Sequence, residues 1–579
     1  MTVTVDGKQF TLEAGTKISD FLKEHGFIID APCGCKGLCG KCRITASGAL
    51  SPMTDSEFAF FTKDEIFAGM RLACLTVIEG DCRLSLVPEA DSGGLVTLLE
   101  NVRHNPPVSK KQINAVVPDI DNQLTDEENL GLGLPLTLGA LKNLPSAMRD
   151  SSYSPYAIIA DGRVVDVTAE SRPVIGLAVD IGTTTVAMYV YNLETGELMT
   201  TKSALNAQRA FGADVISRIA ACNDDADALE KQQNAIAGQI TSLCIKAAEE
   251  CGFDPLNVYY ITIAANTTML HLLTGVHPGA IANSPFIPAT LFGFSFTAAE
   301  LGIGICGGAP VCMIPSVSGY VGGDITAGIS VCDMEGCALF IDIGTNGEMG
   351  ISTEEDITVC SVAAGPAFEG AHIKHGVGGI PGAIEGVYVN DDSDITLKTI
   401  GDLSPSGICG SGLVDAISVL LSIGAIDETG RLVDADELSE AFRNRLTEDG
   451  FILDFDSGIA ITAEDVREVQ LAKSAICSGI CTLMERTKKT AGDIRKVILA
   501  GGFGSHINPV SASKIGLLPR ELMSKIEIAG NAAGMGACAA LLDGDMTRTT
   551  REISKKCRYI ELSTDSFFMD SYIENMMFI

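Results

Sequence analysis

Alternation opens the chain. Residues 2–12 (TVTVDGKQFTL) alternate apolar and polar positions on either side of Asp6-Gly7, the pattern of a β-hairpin. KISDFLKEHG then switches to helical spacing, with Ile18, Phe21 and Leu22 on one face and Gly26 as the stop. After a cysteine-rich stretch, LTVIEGDCRLSLV (residues 75–87) reads as another pair of strands. PEADSGG and HNPPVSKKQ, between about residues 89 and 112, carry Pro, Gly, Ser and charge without period and read as a flexible linker. PLTLGALKNLPSAM (135–148) has helical spacing, and YAIIADGRVVDVT (156–168) reads as a hairpin around Asp161-Gly162.

Two apolar runs then end alike. LAVDIGTTT (Leu177 to Thr185) and LFIDIGTNG (Leu339 to Gly347) align without a gap, one an internal repeat of the other. A third run, VILAGGFGSHINP (Val497 to Pro509), ends in glycines, and GNAAGMGA (Gly530 to Ala537) reads as the opening of a helix beside it. Between them, Val466, Val469, Ala472, Ile476, Ile480 and Leu483 share one face of a helix over about 464–486, capped by Thr462. Gln470 and Lys473 stand off that face, placed to reach a ligand.

Composition narrows the class. The chain has 579 residues, too many for one core. A formal charge of −33 opposes binding of nucleic acid or anionic lipid through the general surface. The opening residues lack the basic and apolar regions of a secretory signal. Uncharged stretches such as Ile261 to Ala299 are too broken by polar residues and proline to span a membrane. Of the 19 cysteines, many stand singly in apolar contexts, among them Cys312, Cys332 and Cys409, as small hydrophobes do in a reducing compartment. A cytoplasmic protein, an anaerobe's, fits these features.

The exception is PCGCKGLCGKC, with Cys33, Cys35, Cys39 and Cys42 inside ten residues, and Cys74 downstream. Thiolates at Cys33, Cys39, Cys42 and Cys74 suit a two-iron cluster, and the intervening glycines let backbone N–H groups approach the sulfurs. The order hairpin, helix, cysteine loop, strands suits a small β-grasp domain. Structural zinc, using Cys39 and Cys42 with Cys74 and Cys82, and plain free thiols are the alternatives. Over about the first 85 residues the chain resembles a [2Fe-2S] ferredoxin. Neither Cys33 nor Cys35 reproduces the plant C-x4-C spacing. The five-residue gap from Cys33 to Cys39 is adrenodoxin-like, which makes Cys33 the first ligand and Cys35 a bystander.

An apolar strand ending in Gly-Thr presents N–H groups and hydroxyls to a phosphate, and an Asp at its end holds Mg²⁺ directly or through water. Two such turns facing each other would clamp a nucleotide's phosphates. The ordered set of two DIGT turns and AGGFG resembles the actin, sugar-kinase and Hsp70 ATPase superfamily, from about residue 175 to the C-terminus. That resemblance implies two ribonuclease H-like lobes with ATP in the cleft. It places Asp180, Gly182, Thr183 and Thr184 in the first phosphate loop, and Asp342, Gly344, Thr345 and Asn346 in the second. Gly501, Gly502 and Phe503 fall in the adenosine loop, and Gln470 and Lys473 at ribose and adenine contacts. Asp180 and Asp342 are the candidate catalytic, magnesium-holding residues. No segment reads as a sugar pocket, which disfavours a sugar kinase.

A two-iron carrier joined to this ATPase is an unusual pairing. With NAQRAFGADVISRI, NTTMLHLLTGVHP, SGYVGGD, AAGPAFEG and GICGSGLVDA, nearly the whole chain resembles the reductive activators of corrinoid proteins. The resemblance implies an α/β and α+β multidomain chain. Its parts are a [2Fe-2S] ferredoxin-like domain (1–88), a flexible linker (89–112), a small α/β middle domain (113–172) and an ATPase (173–579, lobes about 173–337 and 338–579). It implies ATP-dependent one-electron reduction of a corrinoid methyl carrier from Co(II) to Co(I), with a [2Fe-2S] cluster, ATP and Mg²⁺ as cofactors. It also implies a low-potential electron donor, a homodimer, and a partner-facing loop beginning at Ser361. An ATP-driven electron donor to another low-potential enzyme, or a redox-sensing ATPase or chaperone, are the competing readings.

Overall fold

The computed structural model describes the chain except residues 6–7, 13–14, 26, 28–41, 55–56, 59–60, 62–65, 67–68, 87–98, 100–101, 122, 391–393, 505–506 and 579. The fold divides into two compact units: residues 1–91, 103–313 and 540–545, and residues 92–102, 314–539 and 546–579. Among the described residues, no helix is long and apolar enough to cross a membrane.

The first unit begins with strands β1 (Thr2–Val5), β2 (Lys8–Thr11), β3 (Thr16–Lys17), β4 (Arg43–Leu50), β5 (Met70–Leu72) and β6 (Val77–Leu86). They form a sheet in the order β2-β1-β6-β4-β5, with β3 also on β6. β1 runs parallel to β6, and the helix Ile18–Glu24 lays Ile18, Phe21 and Leu22 on a core with Val3, Val5, Ile44 and Leu72. The expected pair of strands over residues 75–87 is one continuous strand, β6. Glu-Gly-Asp there makes a bulge rather than a turn: Gly48 pairs with Cys82 and Leu50 with Ile78, leaving extra residues on the β6 side.

Next come β7 (Val108–Gln112), β8 (Tyr156–Ala160) and β9 (Arg163–Thr168), an antiparallel sheet with the helix Leu138–Asp150 against it. The helix is capped by Thr137, whose hydroxyl accepts from the Ala140 N–H at 3.2 Å. Asp161 and Gly162 join β8 to β9 with φ of 46° and 71°, the left-handed pair that a two-residue hairpin demands. β7 corrects the expected linker, which was taken to run to residue 112. Pro106 and Pro107 and the lysines of VSKKQ disguised a strand whose Lys111 and Gln112 lie exposed at the sheet edge.

The large sheet of this unit has the order β12-β11-β10-β13-β15-β14, from β10 (Ile175–Ile181), β11 (Thr185–Asn192), β12 (Glu197–Leu205), β13 (Val258–Ala265), β14 (Ser295–Thr297) and β15 (Pro310–Met313). β10 pairs antiparallel with β11 and parallel with β13.

The second unit repeats that plan. Its sheet has the order β26-β25-β16-β17-β18-β27, with β16 (Ala338–Ile343), β17 (Gly347–Ser352), β18 (Ile357–Val362), β25 (Lys496–Ala500), β26 (Ile526–Gly530) and β27 (Cys557–Tyr559). β16 is antiparallel to β17 and parallel to β25, as β10 is to β11 and β13. Two small sheets lie between in sequence: β19 (Ala383–Val389), β20 (Ile395–Thr399) and β21 (Gly407–Ile408), then β22 (Leu446–Thr447), β23 (Gly450–Ile452) and β24 (Ala460–Ile461). The predicted helix is present as Ala463–Thr487, with Thr462 and Asp465 forming a capping box.

GNAAGMGA enters the helix Ala532–Leu542, which comes within backbone contact of the helix Gly323–Val331. A Cβ at Gly536 would lie 2.1 Å from the Ala327 carbonyl oxygen, an atom that cannot step aside. Gly536→Ala is therefore expected to lower unfolding free energy by about 1–3 kcal/mol. Urea unfolding followed by circular dichroism measures it, and an unchanged midpoint would mean the helices part without cost.

Candidate functional site

The cluster candidates fall on both sides of the described boundary. Cys33, Cys35 and Cys39 lie outside the described residues. Cys42 precedes β4 and Cys74 follows β5, and the two sulfurs stand 3.3 Å apart, both buried. Two thiolates bound to one tetrahedral metal at about 2.3 Å would be separated by about 3.7 Å. The pair therefore fits a shared iron with a small adjustment. Cys82, which the zinc alternative needs, sits within β6 with its thiol pushed up by burial and by Asp81. No set of three or more His, Cys, Asp or Glu side chains among the described residues makes a ready metal cage.

A buried ion pair fixes the Cys74 turn. Glu57 is 0% exposed and Arg71 8%. Glu57 Oε1 accepts from Arg71 Nε at 2.9 Å, from the Leu72 N–H at 3.1 Å and from Thr76 Oγ1 at 3.1 Å. Its Oε2 accepts from the Thr54 N–H at 2.9 Å. Burial acts to raise the Glu57 carboxyl, but the bonds from Arg71, Thr54 and Leu72 outweigh it and hold the group below its ordinary value.

Asp180 is the penultimate residue of β10, opposite Ala187 of β11 and Ala264 of β13. After it the chain turns sharply: the Gly182 N–H donates to the Thr185 carbonyl at 2.9 Å, and a Cβ on Gly182 would meet that same oxygen at 2.8 Å. The Thr183 hydroxyl accepts from Asn266 Nδ2 at 3.2 Å. Asn266 directly follows β13 and caps the helix Thr267–Thr274, accepting from the Met269 N–H at 2.9 Å. Asn266 opens NTTMLHLLTGVHP, and the topology makes it part of the first turn.

The second unit has the matching arrangement. Asp342 stands opposite Glu348 of β17 and Ala500 of β25. The Gly344 N–H donates to the Asn346 carbonyl at 2.9 Å, and Thr345 Oγ1 donates to Glu369 Oε1 at 2.5 Å. AGGFG leaves β25 as Asn266 leaves β13. Gly501 has φ of 87°, and a Cβ there would lie 2.4 Å from Asp342 Oδ1, so only glycine fits beside the carboxylate. At Gly502 a Cβ would meet nothing within 4 Å, so the backbone borders open space there. Phe503 is stacked on Phe368, with centroids 4.6 Å apart and planes at 5°, which covers one face of its ring.

One carboxylate was not anticipated from sequence. Half-buried Glu348 lies across the strand pair from Asp342, and its carboxyl is held well above its ordinary value by burial and then by the charges of Asp324 and Asp342. Accumulated negative charge of this kind suits Mg²⁺ held partly through water and phosphate rather than by an all-protein cage.

Three expectations change. Gln470 and Lys473 are buried, at 5% and 0% exposure, rather than standing off the packed face. Gln470 Nε2 donates to the carbonyls of Thr429 (2.9 Å) and Met576 (2.8 Å), while Lys473 Nζ donates to the Met577 carbonyl and lies 5.3 Å from the Phe578 ring centroid. Burial pushes the Lys473 ammonium down to about 8. Both side chains thus tie the C-terminal segment to the helix Ala463–Thr487. Ser361 is not in a loop: it lies in β18 opposite Glu348, to whose Oε1 it donates at 3.4 Å.

Comparison with known proteins covers the chain in three segments. Residues 3–79 match the 2Fe-2S iron-sulfur cluster binding domain. Residues 175–336 match the RACo middle region, and residues 336–579 the C-terminal domain of RACo, the ASKHA domain. The corrinoid activation enzyme RamQ of Eubacterium limosum is 30% identical over 97% of this chain and 96% of its own. A [Co(II) methylated amine-specific corrinoid protein] reductase of Methanosarcina barkeri is 27% identical over 41% of this chain and 45% of its own. The solved structure of a reductive activator for corrinoid,iron-sulfur protein superposes with a TM-score of 0.74 at 32% identity, covering 100% of this chain and 98% of that one. The ferredoxin-like fold at the N-terminus and the ASKHA fold at the C-terminus follow from these matches.

Glu57→Gln leaves Arg71 buried without its partner charge. It is expected to cost about 3–5 kcal/mol and to bleach cluster absorbance in the purified protein, with unchanged absorbance and melting as the contrary result. Because the Glu57 carboxyl is depressed in the fold, its contribution is present above its unfolded pKa and is lost as pH falls through the lower folded one. The parent's acid-induced unfolding should therefore carry a component that Glu57→Gln removes.

Proposed function

The chain belongs to the family of reductive activators of corrinoid proteins, and from that premise we propose how its own residues divide the work. The enzyme uses ATP to drive one-electron reduction of a corrinoid protein from inactive Co(II) to Co(I). The [2Fe-2S] cluster, when bound, supplies the single electron that cobalt gains. In our reading Cys42 and Cys74 hold one iron, and Cys33 and Cys39 the other. Asp180 and Asp342 hold Mg²⁺, directly or through water. Gly182, Thr183 and Thr184, and Gly344, Thr345 and Asn346, offer backbone N–H groups and hydroxyls to the phosphates. Gly501 lets the backbone approach Asp342, and Gly502 with Phe503 borders the adenosine. Gln470 and Lys473 act indirectly, by anchoring the C-terminal segment.

The observation that carries this reading is that one chain holds both a close thiol pair and two DIGT turns, each at the end of an interior strand. Electron delivery alone needs only the first. Nucleotide can assist only if it binds two states of the protein with different affinity, and a turn that would contact the terminal phosphate of ATP, which ADP lacks, is where such a difference arises. Ser361, bonded to Glu348, links the second turn to the AAGPAFEG segment that follows β18, which we read as facing the corrinoid partner.

The proposal extends to organisation. The working division is a cluster domain (1–88), a connection ending at β7, a middle domain through residue 172, and the ATPase from 173, with its lobes divided in sequence near 337. We also propose a cytoplasmic homodimer that draws electrons from a separate low-potential donor. The exposed side chains Met569, Ile573 and Met577 near the C-terminus support self-association.

Anaerobic absorbance tests the central reading. Reduced protein mixed with a Co(II) corrinoid protein should yield the Co(I) band when Mg-ATP is added and not without it. Absence of Co(I) with every corrinoid protein tried, from protein with an intact cluster, would refute the reading. Asp342→Asn should retain the cluster spectrum and lose roughly 100-fold or more in ATP-dependent reduction, the scale of removing one preorganised charged contact. Chelation of Mg²⁺ should abolish reduction reversibly. An Asp342→Asn protein with parental rates would remove Asp342 from the site.

A further inference from the structure

We propose that Arg218 and Asn206 are positioning residues for the nucleotide's phosphates, acting through the backbone of Gly182, Thr183 and Thr184. The proposal rests on reading that turn as a phosphate loop and goes beyond it by naming what orients it.

Both side chains are completely buried, at 0% exposure. Asn206 follows β12, and its side-chain Nδ2 donates to the Gly182 carbonyl at 2.8 Å while its backbone N–H donates to the Thr184 carbonyl at 2.8 Å. Arg218 stands on the helix Val215–Asp224. Its guanidinium donates to the Thr183 carbonyl at 2.5 Å, to the Gly212 carbonyl at 3.1 Å and to Met269 Sδ at 3.1 Å. Three successive carbonyls of the turn are thereby drawn to the protein side. In a planar trans peptide the N–H of the next residue points opposite to the carbonyl. The N–H groups of Thr183 and Thr184 are therefore turned the other way, as a row of donors of the kind that cradles an anion.

Charge strengthens the arrangement. A guanidinium keeps its proton at all ordinary pH, and burying one is costly unless its donors are satisfied. Here it lies directly behind the turn, where it polarises the Thr183–Thr184 peptide and adds a fixed positive field to a chain whose formal charge is −33. Substrate never touches Arg218, which is why it positions rather than catalyses.

The test uses the full-length protein under anaerobic conditions, with Arg218→Lys, Arg218→Met and Asn206→Ala beside the parent. Cobalt reduction is measured across ATP concentration, and binding of ATP and of adenosine is measured directly. Arg218→Lys keeps the charge but not the planar fork, and Asn206→Ala frees the Gly182 carbonyl while the backbone bond to the Thr184 carbonyl remains. Each should raise KM for ATP about 10-fold or more, the loss of one charge-assisted or buried hydrogen bond. The rate at saturating ATP and the affinity for adenosine, which has no phosphate, should stay unchanged. Arg218→Met should show the larger loss of ATP affinity. Should it fail to fold, Asn206→Ala and Arg218→Lys decide the matter. An unchanged KM in variants with parental cluster spectrum and melting would overturn the proposal. So would an equal loss of ATP and adenosine affinity, which marks general damage. A parent that binds no ATP would remove the phosphate-loop reading itself, and the proposal with it.

Discussion

Everything at the two DIGT turns follows from the confinement of β10 and β16. Each is an interior strand with both backbone edges paired, and their side chains are buried along almost the whole length. Such a strand has no polar group to offer until it emerges, and the residues that first emerge are Asp180 and Asp342, both half-buried. Their parallel neighbours β13 and β25 end at the same level, which brings Asn266 to one turn and Gly501 to the other. Ligands of open α/β sheets bind beyond the carboxyl ends of strands for this reason. The chain needs only a tight glycine turn and small hydroxylated residues at that point.

Much of this was legible because it is local. A carboxylate closing an apolar run is unusual, and its recurrence as DIGT marks a repeat that the sheets built around β10 and β16 then display. Thr462 announces the helix Ala463–Thr487 by its own hydroxyl and by Asp465 three residues on. The illegible parts are those decided by a second layer. A helical wheel assigns one buried face, but this helix also meets the helix Ser566–Glu574 and the C-terminal segment, which bury Gln470 and Lys473. Glu348 reads in sequence as an ordinary strand residue; only the register of β16 on β17 places it opposite Asp342. Arg218 is 35 residues from the carbonyl it holds, and nothing in its neighbourhood announces that bond. β7 was hidden by the two prolines before it and by its lysines, which edge strands tolerate and linkers share.

The cluster domain makes a different division between local and distant. Its cysteines are visible at once, but a thiol pair must also be held while the metals are bound. The Cys74 turn is held by Glu57, whose carboxylate binds the turn's backbone at Leu72 and its hydroxyl at Thr76. The protein places a charge pair in the core beside the cysteine rather than an apolar contact. Hydrogen bonds fix direction as well as distance, whereas packing would tolerate a shifted turn.

The two DIGT turns share a backbone design and have diverged in charge. At the first, the residue opposite Asp180 is Ala187 and a buried guanidinium stands behind the loop. At the second, the residue opposite Asp342 is Glu348, and Asp324 adds its negative charge nearby. The surroundings of the two turns thus differ in charge, more positive at the first and more negative at the second. Hydrolysis changes both features of a magnesium nucleotide, since removal of the terminal phosphate takes away charge and alters what the metal can bridge. In the proposed function, each differently charged turn would respond to a different one of those changes. A symmetric pair would register only one of them. In the proposed function, such divergence would let the nucleotide's state bias the protein's conformation, and that bias is what an uphill electron transfer requires.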